Sequence, residues 1–136
     1  MSYEISNYSV RIGTLTAGAD LSSAQYTFVK LNSSGAVVQC SAVTDIPLGV
    51  LQNAPVSGDV ADVLVVGGTK VKAGAAITAA NLNTTALGTS AAGLAVAKTL
   101  GTDTTNFVAG RPLNAAGASG DIITALINCA AAHRAS

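Results

Sequence analysis

Turn formers cut this chain into short pieces, and that punctuation constrains its fold more than any other feature. Clusters of Gly, Asn, Asp, Ser and Pro recur every few residues, and the pieces between them carry Val, Ile, Thr, Tyr and Phe. Such pieces cannot sustain a helix of several turns, whereas β-branched and aromatic residues in brief runs suit strands. Tyr26–Leu31 is one such run. Asn32-Ser33-Ser34-Gly35 follows as a turn and Ala36–Cys40 returns, the signature of a hairpin. Pro47 introduces a short strand at Leu48–Leu51, and a loop over 52–59 leads into Val60–Val66. Gly67-Gly68 is expected to end that strand before another at Thr69–Lys72. Thr84–Leu87 and Leu94–Lys98 flank a Gly/Ser turn as a second hairpin. Phe107–Ala109 precedes a loop containing Gly and Pro, and Asp121–Cys129 reads as the last strand. The Ala-rich stretch 73–98 holds too much Gly, Asn and Thr for a long helix and admits one helical turn near Ala79–Leu82. The predicted class is all-β, a small barrel or sandwich of short strands.

A length of 136 residues predicts one domain, placed over 20–130. Before it, residues 1–19 read as an extended arm in which Tyr3, Ile5, Tyr8, Val10, Ile12 and Leu15 alternate weakly with polar residues. The arm lacks the apolar density to fold alone, so it is expected to pair with its own sheet or a neighbour's. Residues 131–136 are expected to fray as a tail. One internal echo runs through the chain: Gly49–Val60 matches Gly110–Ile122 with one inserted residue. Both copies run Gly, three residues, Asn-Ala, a short loop, Ser-Gly-Asp, then a β-branched strand. They are expected to form equivalent strand–loop–strand corners.

The side-chain chemistry is sparse. Charged residues make up 10% and aromatics 4%, with no Trp, while Ala, Val, Leu and Ile carry most of the 49% hydrophobic content. Seven basic and seven acidic residues cancel, so the basic surplus of a nucleic-acid binder is missing, and self-association meets little repulsion. The start of the chain lacks the basic and apolar regions of a signal peptide, and the longest uncharged run, between Lys72 and Lys98, is too polar to span a bilayer. No cofactor or metal motif is found. The single histidine, His133, has no partner at ligand spacing and reads as an exposed tail residue. Asp59 and Asp62 could do acid–base work or hold a cation, but Asp59 and Asp121 each follow Ser-Gly, which turn chemistry explains. Gly67-Gly68-Thr69-Lys70 lacks phosphate-loop spacing and fits a bulge or turn. The Asn-x-Ser/Thr triplets at Asn7, Asn32 and Asn83 are chance matches without a secretory signal. Cys40 and Cys129 are expected as buried free thiols of a protein made in a reducing cytoplasm, a single bridge being the alternative. No catalytic residue is assigned, and the chain is expected not to be an enzyme.

The order of several blocks carries a resemblance. Phe28-Val29-Lys30-Leu31, Gly35-Ala36-Val37-Val38, Ile46–Asn53 with Pro55, and Gly58-Asp59 opening a Val-rich strand resemble the capsid cement, or head decoration, proteins of tailed bacteriophages. Gly68, Lys70-Val71, Ala73-Gly74-Ala75 and Ile77-Thr78 extend the likeness, as does the ending at Gly110–Leu113 and Gly120–Ile123. The resemblance covers roughly residues 21–129 and implies a small β-fold that oligomerises on the outer capsid surface after shell expansion. It also implies the major capsid protein as partner, a homotrimer in preference to a homodimer, and the arm, with Tyr3, Ile5, Tyr8, Val10, Ile12 and Leu15, as the part that adds to a capsid strand. Neither nucleic acid nor membrane is an expected partner. A carbohydrate- or protein-binding β-sandwich module is the alternative, made less attractive by the few aromatic rings available for sugar stacking. A hydrolase would need a clustered site.

Overall fold

The computed structural model describes residues 9–136, nearly all in strands and turns. In chain order the strands are β1 (Val10–Thr16), β2 (Phe28–Leu31), β3 (Val37–Gln39), β4 (Gly49–Leu51), β5 (Val60–Lys72), β6 (Ala86–Thr89), β7 (Ala95–Lys98), β8 (Phe107–Val108), β9 (Gly110–Pro112), β10 (Ile122–Asn128) and β11 (His133–Arg134). A curled antiparallel sheet takes the path β3-β2-β4-β5-β10-β9-β6-β7, with β1 also on β5, and β11 pairs separately with β8. The all-β reading holds, as do both hairpins. A 3₁₀ turn at Ala79–Asn81 stands where one helical turn was expected.

Three expectations differ from what is seen. First, Gly67-Gly68 does not end a strand: β5 runs through both, and they pair with Ile127 and Leu126. Gly67 sits at φ 137°, and a Cβ there would come within 2.7 Å of the Ser9 Cβ. Gly67 lets the chain entering β1 cross close to β5. Second, Gly110–Pro112 is a strand, not a loop, and Pro112 faces Ala125 at its end. Third, the C-terminus does not fray. After a 3₁₀ turn at Cys129–Ala131 it becomes β11, and fully buried Ala135 donates its amide to Asn106 O (2.9 Å) and accepts from Gly101 N (2.8 Å).

The internal echo belongs to a larger duplication. Residues 10–66 and 66–128 repeat one backbone plan in which the first half of β5 closes one repeat and its second half opens the next. Ala17 N donates to Asp59 O at 2.8 Å, as Ala73 N does to Asp121 O at 2.8 Å. Leu21 N to Pro55 O and Ile77 N to Ala116 O match at 2.9 Å, as do Leu48 N to Val29 O and Ala109 N to Leu87 O at 2.8 Å. In the hairpins Asn32 Oδ1 accepts from Ser34 N and Ala36 N, where Ser90 Oγ accepts from Ala92 N and Leu94 N. A Cβ on Gly49 would meet Leu64 O at 2.3 Å, and one on Gly110 would meet Leu126 O at 2.3 Å. The parallel bridges Ala17–Val37 and Ala73–Ala95 join the strand ends in each copy.

The core follows the same plan. Ala17, Leu21, Val29, Val37, Ala61 and Val63 fill the first repeat, and Ala73, Ile77, Leu87, Ala95, Ile123 and Ala125 take the corresponding places in the second. Val63 and Leu64 each pair with β1 on one side and β4 on the other, so the first half of β5 is flanked on both edges. Its faces are covered too: Val29, Leu51 and Val63 belong to the first cluster, whereas Phe28, Val50 and Leu64 belong to the cluster shared with the second repeat. Burial on both faces explains why Val63–Val66 is an unbroken apolar run without alternation.

Candidate functional site

The ionisable side chains are spread through the fold and serve turns. Asp121 Oδ2 accepts the amides of Gly117 (2.8 Å) and Ala118 (3.1 Å), a strand-entry turn. Asp62 lies 3.4 Å from exposed Arg11, and Asp59 occupies the turn before β5, accepting Ala17 N with its carbonyl. Asp45 is the most organised. Its carboxylate accepts Ser41 N, Ala42 N and the Lys30 ammonium at 2.9–3.0 Å. Burial pushes its pKa up, but Lys30 and the two amides outweigh that and hold it below the ordinary value. Cys40 and Cys129 are free and buried, and burial drives both thiols to about 12, so neither holds a thiolate near neutrality. Lys98, nearly buried, donates to Asn106 Oδ1 at 2.8 Å, and burial lowers its pKa. Among the described residues no three His, Cys, Asp or Glu side chains come together to hold a metal, and no helix is long and apolar enough to cross a membrane. His133 is exposed, as expected, but lies in β11 opposite Val108.

Two open surfaces follow from the duplication. The first is β1. Of the arm residues singled out in the sequence, Tyr3, Ile5 and Tyr8 lie outside the described residues. Val10, Ile12 and Leu15 fall in β1, which pairs with the chain's own β5. Ile12 packs against the larger core cluster and Leu15 against the smaller, while Val10 stays exposed. Beyond β5, β1 pairs with no other strand among the described residues. Register shifts between Val10 and Arg11 and between Ile12 and Leu15 break its open edge into short stretches, the usual device for blunting an edge.

The second surface is a groove of about 390 Å³ on the second repeat, lined by Val108, Ala109, Arg111, Leu126, Ile127 and His133. It escaped the sequence reading, although β10 held a signal. Ile123, Ala125 and Ile127 point inward, so the alternate Leu126 points out, 42% exposed. The groove exists because of what the duplication leaves uncovered. Leu126 corresponds to Leu64, Arg111 to Val50 and Ala86 to Phe28; Leu64, Val50 and Phe28 are buried against the second repeat.

Together these features define a class: a duplicated all-β module with an open edge strand and an open groove on its sheet. No family model matches the chain, and no curated protein matches it. Among solved structures it is similar to the N base of the head fiber gp8.5 of bacteriophage phi29. The match has a TM-score of 0.62 and 20% identity over 89% of this chain and 95% of that one. At this identity the likeness is one of fold, and it spans both repeats.

Proposed function

We propose that this chain is a non-enzymatic structural protein of a tailed-phage virion that docks on the outer surface of the head and ties neighbouring major capsid subunits together. The observation that carries the reading is the match along nearly the whole chain to the base of a head fiber. The order of the sequence blocks shared with head decoration proteins agrees with it. In this reading the chain is made in the host cytoplasm and self-associates, a trimer suiting three-fold positions of the shell. Ile12 and Leu15 pack against the core, so the capsid contact falls to residues 1–8. Extended-strand addition is the mode, with backbone hydrogen bonds supplying affinity and alternate side chains setting register. A protein that binds the expanded shell and not free subunits stabilises the assembled state by its binding free energy, and repetition over a lattice makes weak contacts collectively strong.

The test uses expanded shells lacking decoration. The purified chain should sediment with them to a saturating stoichiometry and raise the temperature at which they come apart. Replacing Tyr3, Ile5 and Tyr8 together by Ser should weaken shell binding at least about tenfold, a loss of about 1.4 kcal/mol, and leave the melting of the free protein unchanged. A chain that stays in the supernatant at all concentrations ends the proposal.

A further inference from the structure

The molecule contains one interface twice over in part: complete between its two repeats, and half-made at each end. Inside the chain, the outer face of the first repeat presents Phe28, Val50 and Leu64, all 0–1% exposed because the second repeat covers them. The strand that leads into that cover is the second half of β5. There Lys72 N donates to Tyr26 O (2.8 Å) and Thr69 hydrogen-bonds the Gln52 side chain (2.9 Å) of the first repeat. At the C-terminal end, the corresponding positions are Ala86, Arg111 and Leu126, and the last two line the open 390 Å³ groove. At the N-terminal end, β1 corresponds to the second half of β5, yet among the described residues no strand lies along its outer side, and Val10 is 53% exposed. Among the described residues neither end is covered by a further repeat.

Charge separates along the same axis. Residues 9–66 hold Arg11 and Lys30 against Asp20, Asp45, Asp59 and Asp62, a net of −2. Residues 67–136 hold Lys70, Lys72, Lys98, Arg111 and Arg134 against Asp103 and Asp121, a net of +3. We propose that a second copy of this chain docks head to tail, its N-terminal repeat seated in the groove around Leu126 and Arg111. The contact between chains would then follow the pattern of the junction within one chain. Arg111 in place of Val50 suits a face that must stay soluble until it is covered, since Arg is favoured where an interface forms between separately folded partners. Opposite net charges at the two ends speed and orient the encounter. Such a contact is heterologous and closes into a ring or runs on as an open array according to its rotation. The proposal gives a surface to the self-association in the functional reading above. It is tested on free protein without shells, so shell binding stands or falls independently.

Two exposed substitutions disable one half each. Leu126→Glu puts a carboxylate in the groove facing the acidic repeat, and Val10→Lys puts an ammonium on the N-terminal repeat facing the basic groove. Circular dichroism melting checks that both variants fold as the unaltered protein does. Sedimentation equilibrium at low salt should show a mass above the 13.3 kDa chain that rises with concentration and falls as salt is added. Each variant alone should remain a single chain. Mixed together, they keep one intact groove and one intact N-terminal repeat between them and should associate again. A strictly monomeric unaltered protein, a Leu126→Glu variant that associates normally, or a mixture that stays monomeric would each overturn the proposal. A two-fold dimer built on like surfaces would overturn it as well, because the mixture would not then be rescued.

Discussion

The two repeats share a backbone plan and differ in what lies beyond them. In the first, Phe28, Val50 and Cys40 stand on a face that the second repeat covers, and all three are buried. In the second, the corresponding residues are Ala86, Arg111 and Lys98, one small and two cationic, of which Lys98 is covered by its own repeat and bonds Asn106. Several backbone hydrogen bonds at the turns and strand ends recur in both, to within a few tenths of an ångström. Backbone geometry has therefore been held while the outer side chains follow the neighbourhood. Terminal units of repeat arrays behave this way, carrying a more polar outer face than internal ones. Leu126 departs from the rule, which is why its surroundings draw attention as a contact surface.

The comparison breaks most visibly at the matched leucines. Leu64 is fully buried, and Leu126, its counterpart, is 42% exposed. Leu64→Ala should cost about 2–5 kcal/mol, the lost transfer energy plus a cavity that a doubly covered strand cannot collapse. Leu126→Ala should cost no more than about 1 kcal/mol. Urea unfolding of both variants measures the difference, and equal losses would mean that the two faces are not distinct environments.

A finer probe lies in the loops of the echo. Asn53 donates to Val60 O (2.9 Å) and accepts from Asp62 N (3.0 Å), clamping the start of β5 from both sides. Asn114 accepts from Thr124 N (2.8 Å), the amide corresponding to Asp62 N. Asn53→Ala should therefore cost roughly 1–2 kcal/mol and Asn114→Ala roughly half that, at about 1 kcal/mol per net bond. Asn53→Asp keeps the acceptor and loses the donor, so it should fall between the unaltered protein and Asn53→Ala. If it matches Asn53→Ala, the accepted bond contributes nothing.

These particulars also show what the sequence could reveal. The Asn32–Gly35 hairpin, the long strands and the paired corners were legible because turn formers and β-branched runs act locally. The full duplication was not. Its core pairs change size, as in Val37 with Ala95 and Val63 with Ala125, and its loops differ in length, so side-chain identity does not follow shape. Gly67-Gly68 looked like a break because glycine weakens strands in general, whereas here Gly67 accommodates Ser9 crossing nearby. The tail looked loose because Ala130–Ala132 carries no strand signal, and its order comes from Ala135 seated between Gly101 and Asn106. The groove was hidden for a different reason. It arises where no repeat among the described residues covers the face, and only the three-dimensional correspondence of Leu126 with Leu64 exposes that.

The smallest expected effect separates the repeats by acid sensitivity. Lys30 reaches Asp45 at 2.9 Å, but Gly88 stands in the place of Lys30 in the second repeat, so the ion pair exists in the first alone. Asp45 has a folded pKa below its ordinary value of 3.8 because, against the upward push of burial, Lys30 and the amides of Ser41 and Ala42 favour the charged form. A carboxylate depressed in the folded state binds its proton more readily when unfolded. Its contribution is thus fully present above the unfolded value near 3.8 and disappears as pH falls through the lower folded value. Both partners are partly open to water, so screening keeps the contribution within about 1 kcal/mol. Asp45→Asn should lower stability slightly at neutral pH and lose less stability on going from pH 5 to pH 2, and added salt should narrow the gap at neutral pH. Urea titrations at several pH values follow both curves. Parallel curves for Asp45→Asn and the unaltered protein would show that the ion pair does not couple to folding.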